Sequence, residues 1–199
     1  MPASTDVARF AVEFGPVLGL DISTNALGLA PDVGLEVGGR LALGPGAFAF
    51  AVRGTWQRYN MAQSATAPCT RAMTDGAPSS PCVSMPATGA YDYTLSEDVV
   101  RINLALSYRF LPLERPFNVY LGVAPGVALQ RAETTAWNLL TTETATSWGV
   151  GGFVGAMYRL GPGALWLEAG YAFAPVNHKV TGDASVSTVT AALGYRVAL

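Results

Sequence analysis

The sequence has few charged residues and no long apolar run. Only 13% of its 199 residues are charged, and Lys179 is the single lysine. Soluble domains average about 25% charged residues, so the shortage indicates either a large buried core or a surface that faces lipid. No apolar stretch approaches the roughly 20 residues of a transmembrane helix, which argues against a helical membrane protein. With a net charge of −2 and no basic cluster, the chain also lacks the signature of a nucleic-acid-binding protein.

Cysteine and histidine are equally scarce. Cys69 and Cys82 lie in a stretch rich in Pro, Ser and Thr, which predicts one disulfide in an oxidising compartment or, alternatively, two free thiols. The only histidine, His178, has no serine nearer than Ser185, so the nucleophile, base and orienting group of an enzyme are not found together. One histidine and two cysteines also argue against a zinc site. We therefore predict a protein that is not an enzyme and has no metal or cofactor.

What the chain has instead is alternation with a period of two, in eight segments. In residues 100–104, Val100, Ile102 and Leu104 alternate with Arg101 and Asn103. Successive side chains of a strand point to opposite faces, so each segment has one apolar face and one polar or small face. The apolar set is too bulky for the interior of a small barrel, whereas the other set fits it. The pattern therefore predicts an all-β fold, an eight-stranded antiparallel up-and-down transmembrane β-barrel with its apolar face toward lipid.

The connections between these segments alternate between short and long. Three are short turns rich in Gly and Pro, at residues 44–46, 111–116 and 161–163. Four are longer, at about 21–32, 60–98, 131–146 and 175–186. Outer-membrane barrels have short periplasmic turns and long extracellular loops. We therefore expect a single domain over residues 1–199, with both termini in the periplasm.

Prolines and aromatic residues add local expectations. Pro16 and Pro125 lie inside strands, where each removes a donor from the ladder, so we expect a bulge at each. The start of the chain has no signal-peptide pattern, and we interpret Met1 as an added methionine before a mature sequence. Aromatic rings favour the membrane interfaces. Those expected there are Phe10, Tyr108, Phe110, Phe117, Tyr158 and Tyr195 at the periplasmic ends, and Trp56, Tyr59, Trp148 and Phe173 at the extracellular ends.

In these features the sequence resembles the small eight-stranded outer-membrane barrels of the OmpA/OmpX-like group. The resemblance runs from Phe10 to Leu199, and it includes a C-terminal strand that looks like the signal read by the barrel-assembly machinery, ending in Leu199 where the family usually has Phe. It implies a location in the bacterial outer membrane. It also implies two partners: outer-membrane lipid with lipopolysaccharide, and the assembly machinery, which would bind the last strand. Members serve as anchors, adhesins, channels or enzymes, so the fold alone does not decide the function.

Charged residues within the strands belong to the lumen-facing set. They form a candidate ion-pair network of Glu13, Glu36, Arg40, Arg53, Arg101, Arg109, Arg159, Glu168 and Arg196. An unpaired buried ion costs several kcal/mol, so we expect these charges to pair, with Glu36 within reach of Arg53 or Arg101. Two interpretations remain open. The network is either an ion-paired plug or the lining of a gated, narrow, porin-like pore whose excess arginines favour anions.

Strand direction suggests the other pairs of this network. Glu13 and Arg40 lie near the same end of neighbouring strands, and Glu168 lies near that end between Arg159 and Arg196. We therefore expect Glu13 to pair with Arg40, and Glu168 to pair with one of its flanking arginines.

The long connections are acidic. Their acidic residues are Asp21, Asp32, Asp75, Asp92, Glu97, Asp98, Glu133, Glu143 and Asp183. We expect a solvated surface, or else contacts with lipopolysaccharide bridged by divalent cations or with a cationic partner. The connection at 60–98 is the longest, and it is the strongest candidate for a surface that recognises a protein partner. The sequence thus predicts a non-enzymatic outer-membrane barrel with a structural or surface-interaction role, the alternative being a narrow channel for small solutes or ions.

Overall fold

The fold is a closed barrel of eight antiparallel strands. A computed structural model describes residues 10–24, 28–65, 91–136, 139–176 and 187–199. The strands are β1 (Phe10–Ser23), β2 (Leu29–Leu43), β3 (Gly46–Ala65), β4 (Tyr91–Arg109), β5 (Phe117–Ala136), β6 (Leu139–Leu160), β7 (Gly163–Phe173) and β8 (Thr188–Ala198). Each strand pairs with the next, and β8 pairs with β1. The predicted all-β, eight-stranded up-and-down architecture is confirmed. The described residues include no helix that is long and apolar enough to cross a membrane.

The barrel has most of its large apolar side chains outside and most of its polar strand residues inside. In β1, for example, Phe14 and Leu18 are exposed, whereas Glu13 and Val17 are buried. In the described residues, 38 large apolar side chains are exposed in this way. Soluble monomers rarely expose a contiguous apolar patch larger than a few hundred Å². The period-two alternation of the sequence therefore corresponds to an exterior suited to lipid and a lumen filled mainly by polar and small residues, together with a few large ones such as Trp166 and Phe153.

Two of the short turns have the same sequence and the same backbone. Leu-Gly-Pro-Gly occurs at residues 43–46 and again at 160–163, and the first glycine of each has a φ of +61°. In both hairpins, two residues connect the last paired positions of the strands. Glycine with a positive φ at the first central position is typical of a type II′ turn, whose twist matches that of the strands. We call this end of the barrel the turn end, and the opposite end the loop end.

The expected bulges at the two strand prolines are absent. The ladder between β1 and β2 passes through Pro16 without a change of register, and so does the ladder between β5 and β6 through Pro125. On the other side of each proline strand, two residue pairs are missing, but the register is the same above and below the gap. Proline lacks an N–H, which accounts for lost pairing on one side of its strand. The prediction of an extra residue was therefore wrong.

The strands extend further toward the loop end than the sequence suggested. β3 and β4 stay paired as far as Ala65 and Tyr91, and β5 and β6 as far as Ala136 and Leu139. The predicted connections at 21–32, 60–98 and 131–146 are therefore partly strand. β3 to β6 contain 19 to 22 residues, whereas β7 and β8 contain 11 each. One side of the barrel consequently rises higher at the loop end, and we call the upper parts of β3 to β6 the tall wall.

Candidate functional site in the charged lumen

Four charged side chains form a continuous row of ion pairs across the middle of the lumen. Glu36 and Arg53 face each other on β2 and β3, and the Arg53 guanidinium donates to Glu36 Oε2 at 3.1 Å from Nη2. The same guanidinium donates to both oxygens of Glu168 on β7, at 2.6 and 3.1 Å. Arg196 on β8 completes the chain by donating to Glu36 from Nε and from Nη2. We call Glu36, Arg53, Glu168 and Arg196 the central charged layer.

Aromatic rings fill the space around this layer. The Arg53 guanidinium carbon lies 5.1 Å from the centre of the Trp166 ring, and that of Arg196 lies 4.8 Å from the same ring. Arg196 also lies 5.6 Å from the Tyr120 ring, and Arg53 lies 5.8 Å from the Phe153 ring. At these distances a cation is attracted to the ring face. Guanidinium groups that are held by both carboxylates and rings leave little freedom for the layer to rearrange.

A second ion group lies toward the turn end. Both oxygens of Glu13 accept hydrogen bonds from Arg109, one of them at 2.8 Å, and Arg40 lies 3.3 Å from the same carboxylate. Glu13 and Arg40 are thus brought together as expected. Arg159 differs from the expectation, because its side chain is exposed and donates to the Leu113 carbonyl oxygen at 2.6 Å. We call Glu13, Arg40 and Arg109 the turn-side group.

Glu168 has a different partner from the expected ones. Arg159 and Arg196 both lie opposite Ala164, four positions further toward the turn end than Glu168. Arg53 reaches Glu168 from β3, across the lumen. The expectation considered only neighbouring strands, whereas an arginine is long enough to bridge the interior of a barrel this narrow. Arg101, the other candidate partner of Glu36, instead contacts Asp21.

The third charged group lies toward the loop end, and the sequence analysis missed it. Arg101 Nη1 donates to Asp21 Oδ2 at 2.8 Å and to Gln57 Oε1 at 3.2 Å. Asp32 lies opposite Gln57 in the ladder between β2 and β3. Asp21, Asp32 and Glu97 are at most 7% exposed, so the prediction that they are solvated loop residues was wrong. We call Asp21, Asp32, Glu97 and Arg101 the loop-side group.

An apolar cluster lies inside the barrel at the loop end. Tyr59, Leu95, Val99, Ala128 and Ala132 are buried there together. Tyr59 was expected at the outer membrane interface, but it is 1% exposed. Its position on β3 has the same parity as lumen-facing Arg53, and the strand continues far enough to keep that parity. This cluster covers the lumen near the loop-side group.

One small cavity lies on each side of the central charged layer. One of about 20 Å³ is lined by residues that include Glu36 and Arg196 of the layer and Glu13 and Arg109 of the turn-side group. The other, of about 60 Å³, is lined by residues that include Arg53 and Glu168 of the layer together with Asp32 and Arg101. A water molecule needs about 10–15 Å³ of such space. The smaller cavity therefore has room for about one water, and the larger one for a few. The layer separates them.

Several candidates lie outside the described residues. Cys69 and Cys82 are among them, so their disulfide stays a prediction, and so are His178, Ser185, Asp75 and Asp183. In the part of the chain that the structure describes, no group of three or more His, Cys, Asp or Glu side chains could hold a metal ion.

The comparison with known proteins concerns the fold alone. No family model and no curated protein sequence matches the chain. Neisserial surface protein A is 20% identical, with a TM-score of 0.47 over 96% of this chain and 97% of that one. A major outer membrane protein of Thermus thermophilus is 16% identical, with a TM-score of 0.47 over 95% and 100% of the two chains. Ail, the attachment invasion locus protein of Yersinia pestis, is 13% identical, with a TM-score of 0.45 over 94% and 97%.

The strand count, the closed topology and the outward apolar face define a small eight-stranded barrel with a charged lumen. The predicted resemblance to the small outer-membrane barrels is thereby confirmed for the fold.

Proposed function

We propose that this chain is a non-enzymatic barrel of a bacterial outer membrane, with a structural or surface-interaction role and a lumen closed by ion-paired side chains. The exterior supports the location. On β3 the outward residues are apolar or glycine from Phe48 to Trp56, and the next outward residue is Arg58. Eight residues of a strand tilted by about 40° rise roughly 20 Å along the barrel axis. The apolar bands of outer-membrane barrels are about 25 Å tall.

The upper boundary of this band continues across three strands. Trp56, Val100 and Leu129 form one cross-strand row on β3, β4 and β5. The next row toward the loop end is Arg58, Asp98 and Arg131. An abrupt change from apolar to charged rows is expected where lipid tails give way to headgroups. Outer-membrane lipid and lipopolysaccharide are therefore the partners proposed for the exterior.

The proposed orientation follows from the ends of the barrel. Both described chain ends lie at the turn end, where Glu13 pairs with Ala198. Short turns are typical of the periplasmic side, so the turn end and both termini are assigned to the periplasm and the tall wall to the cell exterior. The connection at 60–98 would then rise on β3 and β4 and meet a protein partner. β8, at the end of the chain, would engage the assembly machinery.

The main support for a closed lumen is the central charged layer. Each of its carboxylates accepts hydrogen bonds from an arginine in the layer, and the two cavities described beside it are small. Removing one partner of a buried ion pair costs about 3–5 kcal/mol. Opening a path for solutes would require that several of these contacts break together.

Ion conductance across planar lipid bilayers tests this proposal. We expect no stable conductance steps from the wild-type protein. Arg53→Ala should produce measurable conductance, because it leaves Glu36 and Glu168 without their shared cation and draws water into the layer. Arg58→Ala, outside the lumen, is the matched control and should stay silent. Regular steps from the wild-type protein would overturn the closed lumen.

The two cavities favour a second candidate, a narrow channel for small solutes or ions. They lie in sequence along the lumen and are separated by the central charged layer. A rearrangement of Arg53 and Arg196 would join them. Wild-type conductance that disappears when the layer is cross-linked would support this candidate over the first.

A further inference from the structure

Four polar atoms at the loop end of the lumen are buried without a partner. Among the described residues, Oδ1 of Asp21, Oδ1 of Asp32, Nε2 of Gln57 and the Tyr59 hydroxyl form no hydrogen bond. None of these four residues is more than 7% exposed. A buried polar atom without a partner is rare, and an ordered water or an ion is a common explanation. The four residues therefore outline a candidate binding site, which we call the aspartate site.

The sheet register places the two aspartates beside each other. Asp21 lies opposite Ala30, and Asp32 lies opposite Gly19 on the same two strands, β1 and β2. The aspartates are thus diagonal neighbours, and both side chains are buried inside the barrel. Diagonal positions of an antiparallel pair lie about 7–8 Å apart. Two aspartate side chains can converge over that distance on one shared ion.

Gln57 and Tyr59 face the same space from β3. Gln57 lies directly opposite Asp32, and Tyr59 follows two positions later with the same inward direction. The Tyr59 hydroxyl is also within electrostatic range of both aspartates. A buried amide donor beside a carboxylate would normally bond to it directly. Because these atoms stay apart, there is space between them for a bound species.

The charge of the aspartate site favours a cation. Arg101 donates to Oδ2 of Asp21 and to the Gln57 amide oxygen, so one arginine accompanies two buried carboxylates. Buried charge that is not compensated is costly. A water molecule would satisfy the hydrogen bonds of these atoms but not their charge. Glu97 lies nearby on β4 with contacts of its own, and the site does not depend on it.

A cavity beside the site has space for a hydrated ion. The cavity of about 60 Å³ is lined by Asp32 and Arg101, together with the polar side chains of Thr55, Asn103 and Thr190. The described residues offer no set of three or more His, Cys, Asp or Glu ligands, so a cation here must keep much of its water. Mg²⁺ gives up water reluctantly and is commonly held by one or two carboxylates, whereas Ca²⁺ accepts more protein ligands.

We propose that the aspartate site binds a hydrated Mg²⁺ ion between Asp21 and Asp32, with the Tyr59 hydroxyl accepting a hydrogen bond from one of the water ligands. The ion ties β1, β2 and β3 together on the loop-end side of the central charged layer. This site goes beyond the proposed function, and it does not depend on whether the lumen conducts. Because Arg101 repels the ion, we expect half-saturation at about 2 mM.

Urea titration of the full chain in detergent micelles tests the site. The titration is performed in EDTA and again in about 20 mM MgCl₂, with NaCl added to the first sample to match the ionic strength. We expect Mg²⁺ to raise the folding equilibrium constant about tenfold, because it binds the folded state alone. An equal rise from NaCl without Mg²⁺ would mean that salt merely screens charges, and it would overturn the proposal.

Two matched variants locate the effect inside the lumen. Asp32→Asn removes one carboxylate of the site, and the gain from Mg²⁺ should fall to less than about twofold. Asp98→Asn removes a carboxylate from the outer face of β4, where the side chain is 33% exposed and lies 3.9 Å from Arg58. This control should keep the tenfold gain. A full gain in Asp32→Asn, or an equal loss in both variants, would contradict the site.

A paramagnetic ion gives a second measurement on the folded protein. Mn²⁺ takes the same oxygen ligands as Mg²⁺, so a substoichiometric amount should broaden the backbone NMR signals of Asp21, Asp32 and Tyr59 while those of Gly46 and Gly163 at the turn end stay sharp. Excess Mg²⁺ should restore the signals. The broadening should disappear in Asp32→Asn and persist in the exterior variant. Broadening that ignores Asp32→Asn would place the ion elsewhere.

Other occupants give different results. If acidification from about pH 7.5 to about pH 5 in EDTA stabilises the protein and Mg²⁺ does not, a proton occupies the site, and the proposal is wrong. If Lys179→Ala creates a Mg²⁺ response that the wild type lacks, the chain's own ammonium group occupies it, and the proposal is also wrong. A silent barrel without any Mg²⁺ response would refute this inference alone. A conducting barrel with the expected response would refute only the closed lumen.

Discussion

The two halves of the lumen manage buried charge differently. In the turn-side group and the central charged layer, four arginines accompany three glutamates, and the carboxylates are held by arginine hydrogen bonds. In the loop-side group, one arginine, Arg101, accompanies Asp21, Asp32 and Glu97. Among the described residues, Asp21 Oδ1 and Asp32 Oδ1 have no hydrogen-bond partner. In the first half, arginines thus satisfy every carboxylate oxygen, and the unpartnered atoms are Arg40 Nε and Arg109 Nε. In the second half, the unpartnered atoms include carboxylate oxygens of Asp21 and Asp32.

The strongest test of this difference is the removal of Arg53. Arg53→Ala leaves Glu36 and Glu168 buried without their shared cation, and such uncompensated charge costs about 3–5 kcal/mol. We expect the free energy of unfolding, measured by urea titration in detergent or lipid, to fall by about that amount. Arg58→Ala removes an arginine whose side chain is 47% exposed and lies 3.9 Å from Asp98. This control should change the stability by less than about 1 kcal/mol.

The sequence predicted the strands and most of the lumen set, but only some of the contacts within it. Glu13 meets Arg40 and Glu36 meets Arg53 as expected, whereas Glu168 meets neither of its expected partners. Alternation identifies the face of each residue, so Glu13, Glu36 and Arg53 were correctly assigned to the interior. The contact between Arg53 and Glu168 joins positions 115 residues apart across the lumen. Such a contact depends on barrel diameter and side-chain length, and neither is visible in a period of two. For that reason Glu168 was matched only with arginines on its neighbouring strands.

Glu97 and Tyr59, at the loop end of β4 and β3, were missed for a different reason. Beyond Trp56 and Val100 the outward face turns polar, with Arg58 and Asp98 in the next row. The contrast between the two faces then vanishes, and the strand looks like a loop. Its geometry nevertheless continues, so Glu97 keeps the inward parity of Arg101 and is buried. Extending the parity of each strand past the end of its apolar run would have found Glu97 and the buried Tyr59. Asp21 lies between outward Leu20 and Ile22, and Asp32 precedes outward Val33, so their inward parity was already present in the alternation.

Neutralising one carboxylate in each half sharpens the comparison. Glu36→Gln keeps the shape of the side chain but leaves Arg53 and Arg196 with too little negative charge, so we expect a loss of about 3 kcal/mol in unfolding free energy. Asp32→Asn removes charge where carboxylates exceed arginines, so we expect a change of about 1 kcal/mol or less. Both values come from the same urea titration. Equal losses would mean that the loop-side carboxylates are as fully compensated as Glu36.

The smallest effect on the barrel is expected from the predicted disulfide between Cys69 and Cys82. A cross-link that closes a loop of about 14 residues can stabilise a protein by about 3 kcal/mol, because it restricts the unfolded chain. This gain applies where folding itself brings the two cysteines together. Here both cysteines lie beyond Ala65 and Tyr91, the last pair of the ladder between β3 and β4. Because that ladder forms with or without the cross-link, the barrel should gain little from it.

Reduction of the protein, or Cys82→Ser, should therefore leave the thermal unfolding of the barrel within about 0.5 kcal/mol of wild type. Limited proteolysis followed by mass spectrometry should show faster cleavage within residues 60–98. Any binding that depends on the shape of this connection should weaken in parallel. If reduction instead unfolds the barrel, the connection contributes to the lumen plug, and its assignment as a recognition surface is wrong. Such a result would also mean that the connection helps to close the loop end of the lumen, so that the two halves could no longer be compared by their side chains alone.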